Sequence, residues 1–334
     1  MTVMEVSVLN KAKKIKQPLS KKMILHKIRY RIFGYNILSG LASRIVSYVL
    51  LISISYVFLF PLLKMLSTST MSPNDIINPE VDWIPEKLSF SNFITAYHVL
   101  QMPQTLFNSI WYSGVLAAFQ TIVSALTGFA FARYEFRLKK FWFSMVLLSF
   151  IIPLPVVLIP RIMIFVSVQS STGIQLIGTI IPQLVMAMFG QGVNSAILIL
   201  IFYNFFRLIP PALDEAAHID GASAFQVFWH IIVKLSIPSI VTVFLFAFVW
   251  NWNETYTTGT FLRGAIKLLP IQLSVFENVF ANLAPAIPGQ EGANRVNEAY
   301  RMAATLISML PLLITYVFAQ RQFIEGIENT GFKE

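Results

Sequence analysis

The sequence predicts an all-α integral membrane protein with six transmembrane helices and a cytoplasmic helix–turn–helix, and three observations predict it. Only 12% of the 334 residues are charged while 56% are hydrophobic, against roughly 25% charged in soluble domains. The charges fall between long apolar runs rather than within them. Lys and Arg gather on alternate connections, the pattern of loops retained on the cytoplasmic side of a membrane.

A helix rises about 1.5 Å per residue, so about 20 uncharged residues cross a hydrocarbon core about 30 Å thick. Ile45 to Leu63, Thr105 to Ala132, Leu235 to Asn253 and Met302 to Gln320 read as spans, as does Phe141 to Val168, interrupted only by Arg161. The uncharged stretch Gly173 to Phe206 is longer than one crossing needs. Pro182 and the string GQGVN at Gly190 to Asn194 can break it, so a surface-lying lead-in and a span from about Leu184 to Phe206 are expected. The chain thus divides into a basic N-terminal segment, 1–44, a membrane domain, 45–320, with a polar connection at 207–234, and a tail, 321–334.

Residues 1–44, 132–140, 207–234 and 321–334 together hold 18 Lys and Arg, and the opposite connections hold six: Lys64, Lys87, Arg263, Lys267, Arg295 and Arg301. Both termini of this multi-pass protein are therefore expected in the cytoplasm. The first run exceeds a signal-peptide core and LSTSTMSP after it offers no A-x-A site, so it reads as an uncleaved span. The stretch KAKKIKQPLSKK suits contact with anionic membrane lipid. A nucleic-acid partner is not expected, because the basic charge is not gathered on a soluble module.

Chemistry is sparse. There is no Cys, the four His show no ligand spacing, and no phosphate-binding G-x-x-x-x-G-K-[ST], H-E-x-x-H or G-x-S-x-G string occurs. No catalytic residue, metal or cofactor is expected. Arg161 and Glu254 are charges at or near membrane depth, placed toward the outer ends of their spans, where snorkelling and substrate contact are both open.

The polar connection is the most ordered part of the pattern. Pro210 and Pro211 suit a helix start, and Asp214 and Glu215 fall in the first turn, where carboxylates favour the positive end of the helix dipole. Asp220-Gly221 supplies a stop. Ser223 and Gln226 have capping-box spacing, and Phe225, Phe228, Trp229 and Ile232 form an apolar stripe at helical intervals. Periodicity alone leaves two readings open, an interfacial cover over the ends of the spans or a docking lever.

The run EAAHIDGA, followed by Phe228 and Pro238, resembles the EAA motif of binding-protein-dependent ABC importer permeases. FNSIWYSGVLAAFQTIVSALTGFAFARYEFRLKKFWF is similar to that family's first core helix and basic turn, FYNFFRLIPPALDEAA to its approach to the motif, and VWNWNE to the following helix. The ending AQRQFIEGIENTGFKE is similar to the tail of the maltose-permease-like, carbohydrate-importing branch. The likeness runs from about Ile45 to the end, with one departure: Lys234 stands where the family usually has Pro.

The resemblance implies an ABC importer permease fold whose coupling helix seats in a cleft of a separate ABC ATPase dimer. Glu215 would pair with a basic ATPase residue, Ala216 and Ala217 would permit close approach, Asp220 and Gly221 would make the turn, and Phe228 would lie on the second arm. Gln322, Gly326 and Gly331 would mark a tail entering the ATPase interface, the alternative being a frayed end. The resemblance further implies a second homologous permease subunit in a heterodimer and an extracytoplasmic sugar-binding lipoprotein, met by the outer segments 66–104 and 254–301, the second of which holds Pro285, Pro288 and Gly289 and otherwise reads as a solvent loop. Trp250, Asn251, Trp252 and Asn253 are the candidate substrate-path residues, the Trp pair either stacking on sugar or marking the membrane interface. Two alternatives stand beside the carbohydrate importer: a secondary transporter, which would need midplane carboxylates and a repeated half-fold, and an importer of a non-sugar solute.

Overall fold

The computed structural model describes residues 40–283 and 298–331, with side chains to Arg321. The segment 284–297, which holds Pro285, Pro288 and Gly289, lies outside the described residues, as does most of the basic leader. The chain divides into two compact units, 1–64 and 65–334. All regular structure among the described residues is helical. Four helices are long and apolar enough to cross a membrane, or six if two bent pairs each count as one span. The protein is a multi-pass membrane protein.

The first unit contributes most of α1 (Leu41–Ser69), whose side chains from Ile45 to Phe60 are exposed and almost wholly apolar. Such a surface is stable against lipid or another apolar partner and costly in water.

The second unit is built around α4 (Met102–Arg133), which follows the short helices α2 (Pro73–Ile77) and α3 (Ser91–Val99). One face of α4 carries Ser109, Ser113, Ala117, Thr121, Ser124 and Gly128, all buried, while Phe107, Ile110, Trp111, Ile122 and Leu126 are exposed. This distribution inverts that of a soluble helix. Hydrocarbon does not drive apolar side chains inward, so small residues take the contact face and let backbones approach. At Gly128 the approach is closest: an added Cβ would lie 2.7 Å from Phe202 Cβ and 3.1 Å from the Ile199 carbonyl on the neighbouring helix.

Two expected spans are broken. The third is divided into α5 (Lys139–Ile151) and α6 (Leu154–Thr172) at Ile152-Pro153, because a residue before proline disfavours helical geometry and Pro153 itself opens α6. The fourth does not begin at Leu184. Helix α7 (Ile181–Met188) ends, Gly190 and Asn194 take left-handed conformations, and α8 (Ser195–Leu208) starts afresh. The lead-in is packed into the protein, with Leu176, Ile177, Pro182 and Gln183 buried.

The polar connection follows as α9 (Ala212–Ile219), α10 (Ala224–Val227), a π turn (Phe228–Ile232) and α11 (Val233–Leu235). Helix α12 (Ile237–Asn253) leads back into the bundle. The segment read as an outer loop contains α13 (Tyr256–Leu262), α14 (Leu269–Ser274) and α15 (Phe276–Leu283). Helix α16 (Glu298–Gly331) closes the described chain and carries helical backbone through Gln322 and Gly326 to Gly331.

Two apolar clusters sit at opposite ends of the bundle. Phe129, Phe202, Phe206, Phe228, Ile232 and Val243 pack at the polar connection. Leu100, Trp252, Leu269, Phe276, Phe280 and Tyr300 pack at the other end, tying α3, α14 and α15 to α16.

Candidate functional site

Helix α9 leaves α8 at a bend of 75° and exposes Glu215, Ala216, His218 and Ile219. Glu215 makes no hydrogen bond or ion pair with any described residue. Ala217 has a different placement from its neighbour: it is buried in the cluster with Phe129 and Phe228, where a larger side chain would force the arm outward. The helix stops at Asp220 as expected. Gly221 takes φ +85°, the Gly221 N–H donates to the His218 carbonyl at 3.1 Å and the Ala222 N–H to the Ala217 carbonyl at 2.9 Å.

The second arm opens on the expected capping box. Ser223 Oγ accepts from the Gln226 N–H, and Gln226 Oε1 accepts from the Ser223 N–H at 2.8 Å. Its apolar stripe is divided rather than wholly buried. Phe228 and Ile232 face inward, whereas Phe225 and Trp229 are exposed and stacked on each other, 6.4 Å apart and 8° from parallel. The arm also widens into a π turn, closed by the Val233 N–H on the Phe228 carbonyl. Lys234 is exposed and helical, and the 82° bend into α12 falls after it, at Ser236, with Pro238 in the next first turn. The exit bend therefore does not depend on proline at position 234.

Both arms are held by the last turn of α4. Arg133 Nε lies 3.0 Å from Asp214 Oδ2, with the two side chains 9% and 15% exposed, and Arg133 Nη2 donates to the Ile209 carbonyl at 2.7 Å. The Nε–H is not aligned for a hydrogen bond to that oxygen, so this contact is charge on charge. One turn earlier, Phe129 packs its ring 5.0 Å from Phe228. Residues four apart share a helix face, so α4 grips the first arm by an ion pair and the second by an aromatic contact. Burial, and secondarily the Asp214 carboxylate, push the adjacent Tyr134 phenol above its ordinary value. Sequence reading missed Arg133 as a site residue because it ends an apolar run and was counted only for topology.

A second feature lies deeper in the bundle, a cavity of about 290 Å³ lined by Gln120, Arg161, Gln183, Gln191, Asn251 and Thr257 among others. Gln120 is its organiser: buried on α4, it donates to the Val193 carbonyl and Ser195 Oγ, both at 3.2 Å, and accepts from Asn251 Nδ2 at 2.6 Å. A Cβ at Gly192 would displace the Gln120 amide. Arg161 and Glu254, far apart in sequence, both reach this cavity.

Of the four candidate path residues, only Asn251 lines the cavity. Trp252 is buried in the apolar cluster against Phe248, Trp250 stacks on Phe246, and Asn253 is exposed with its amide on the Val249 carbonyl. Neither Trp offers a free ring face to the cavity.

The chain matches the family of binding-protein-dependent transport system inner membrane components over residues 120–328. It is 26% identical over 298 residues to the arabinooligosaccharides transport system permease protein of Halalkalibacterium halodurans, covering 87% of this chain and 98% of that protein. It is also 26% identical over 295 residues to the sn-glycerol-3-phosphate transport system permease protein of Pectobacterium atrosepticum, covering 86% and 96%. In fold it is similar to a chain of a bacterial ABC transporter involved in import of the acidic polysaccharide alginate, with TM-score 0.65, 19% identity, and coverage of 92% and 100%. The family match spans both arms, Asn251 and the greater part of α16, and the chain belongs to the family of binding-protein-dependent transport system inner membrane components.

Proposed function

We propose that the chain is one of two permease subunits of an ATP-driven importer, lining the path of a carbohydrate delivered by an extracytoplasmic binding protein. The observation that carries the reading is the construction of α9: an exposed helix bearing Glu215, clamped to the transmembrane bundle through Arg133 and Asp214. A moving cleft around α9 would displace α4 with it, because packed elements shift as bodies rather than deform. The sequence holds no phosphate-binding loop, which assigns ATP hydrolysis to a separate ATPase dimer. Glu215 and Ala216 form the docking face, Ala217 and Phe228 the seam behind it, and Asp220 and Gly221 the turn. The end of α16, with Gln322, Gly326 and Gly331, reaches toward the ATPase interface, and the charge asymmetry supports cytoplasmic termini.

The arabinooligosaccharide relative supports a carbohydrate, and the glycerol-phosphate relative favours a second reading, a non-sugar solute. Purifying the chain with its co-assembled subunits and reconstituting them in proteoliposomes tests the reading. ATP hydrolysis is expected to rise several-fold when saccharide-loaded binding protein is added, because a partner shifts an equilibrium only by its differential affinity for the two states. Uptake driven by an ion gradient, with no co-purifying ATPase, would make the chain a secondary transporter instead.

A further inference from the structure

We propose that the cavity lined by Gln120, Arg161, Gln183, Gln191, Asn251 and Thr257 is a subsite for one carboxylate-bearing sugar unit, with the carboxylate on Arg161. The inference rests on the carbohydrate-importer reading and deepens it by naming the substrate class.

Charge is the first argument. An ionisable side chain at membrane depth is costly and is kept where it has a partner or a task. Glu254, the anion of the cavity wall, is fully used: Oε1 accepts from the Thr257 N–H at 2.8 Å, and Oε2 accepts from the Thr258 N–H at 2.8 Å and from Thr258 Oγ1 at 2.9 Å. Those bonds cap α13. Arg161 is not so used. Its guanidinium makes one bond, from Nη2 to Gln191 Oε1 at 3.1 Å, and no carboxylate lies within ion-pair distance among the described residues. The remaining donors of a planar fork are suited to a carboxylate, which it binds through two parallel bonds.

The rest of the lining is mixed: Leu116, Phe150, Ile152, Val157 and Met186 stand beside the polar groups. Beside Arg161 stands Gln191, whose Nε2 has no hydrogen-bond partner among the described residues, whereas Gln120 and Asn251 are held by bonds to each other and to Val193, Ser195 and Ala247. The volume of about 290 Å³ falls at the lower end of small-molecule pockets, about 300–1,000 Å³, and fits one sugar unit rather than a long oligosaccharide.

Depth separates a solute from a lipid headgroup. Gln120 is 13 residues from Arg133 on α4, and Asn251 is 14 residues from Ile237 on α12. At about 1.5 Å per residue both stand roughly 20 Å from the end of the bundle that carries the two arms. That level is inside a hydrocarbon core about 30 Å thick, away from the phosphates of either leaflet. A translocating solute reaches it; a lipid phosphate does not.

The test measures binding of labelled uronate disaccharides (glucuronate, galacturonate, mannuronate) to the assembled complex in nanodiscs without binding protein. The carboxyl-reduced counterpart of each, which keeps every hydroxyl, is the control. At least one uronate is expected to bind wild type at least tenfold more tightly than its reduced form, a comparison that needs no variant. Arg161→Gln should bring the uronate down to the reduced form, and Arg161→Lys, which keeps the charge without the fork, should retain part of the difference. Equal binding of acid and reduced sugars, no binding of either, or uronate binding unchanged in Arg161→Gln would overturn the subsite. ATP-driven uptake by the full system separates this failure from failure of the importer reading: uptake of neutral oligosaccharides, undisturbed by Arg161→Gln, removes the anionic subsite alone. Absence of uptake for every saccharide removes the carbohydrate assignment itself.

Discussion

Glu215→Lys is expected to abolish ATP-driven uptake while leaving the protein inserted and folded. The side chain is exposed and makes no hydrogen bond or ion pair with any described residue. The local cost is small: a cation in the first turn of a helix opposes the dipole by about 0.3–1 kcal/mol. At the ATPase the same change removes a charge pair and adds repulsion, and loss of one partner of such a pair costs about 2–5 kcal/mol. Association with the ATPase should therefore weaken at least about thirtyfold, since each 1.4 kcal/mol is a factor of ten. Co-purification with the ATPase and size-exclusion profiles of the permease check the two halves of this expectation. Normal uptake by Glu215→Lys would mean that α9 does not dock through this face.

Arg133→Met is expected to damage both stability and coupling. Removing one partner of a buried ion pair costs about 3–5 kcal/mol, and the 15% exposure of Asp214 puts this pair at the lower end of that range. The variant also releases the Ile209 carbonyl, so the start of α9 loses two tethers to α4. Thermal unfolding in detergent should shift downward, and binding-protein-stimulated ATP hydrolysis should fall in the folded fraction. The double variant Arg133→Met with Asp214→Leu should recover part of the stability, because no charge is then left buried alone. It should not recover coupling if the ion pair transmits motion. A double-mutant cycle separates the two effects, and full recovery of both would reduce the pair to a packing contact.

The arms were legible where the signals are local. Pro210-Pro211, Gly221 and the Ser223/Gln226 box each act within four residues, and each appears where the spacing placed it. The divided stripe of Phe225, Phe228, Trp229 and Ile232 was not, because periodicity gives an apolar face but not which edge is covered, and a π turn departs from the 3.6-residue repeat. The break at Gly190 to Asn194 was legible in GQGVN, but the break at Pro153 and the start of the fourth span, at Ser195 rather than Leu184, were underread for another reason. Composition shows that a stretch is apolar enough for a membrane without showing that its helix is continuous, and broken helices are tolerated where protein or a cavity meets the freed backbone. The Arg133–Asp214 pair joins residues 81 positions apart, as Gln120 and Asn251 join residues 131 apart, and neither has any signature in local spacing. What sequence alone offered for the cavity was two suspicious charges, Arg161 and Glu254, without the fact that they share it.

The most direct test of the coupling role uses the absence of native cysteine. Ala216→Cys sits on the exposed face of α9 and Ala217→Cys on the buried one, a contrast that only the observed orientation of the helix provides. A short bifunctional thiol reagent applied to inverted membrane vesicles holding the assembled complex should join Ala216→Cys to a cysteine placed along the rim of the ATPase cleft. The yield should change with added ATP as the cleft moves, while Ala217→Cys should give little product in either condition. Equal cross-linking from both positions, no ATPase adduct from Ala216→Cys at any rim site, or its labelling by an impermeant thiol reagent from outside intact cells would contradict the account.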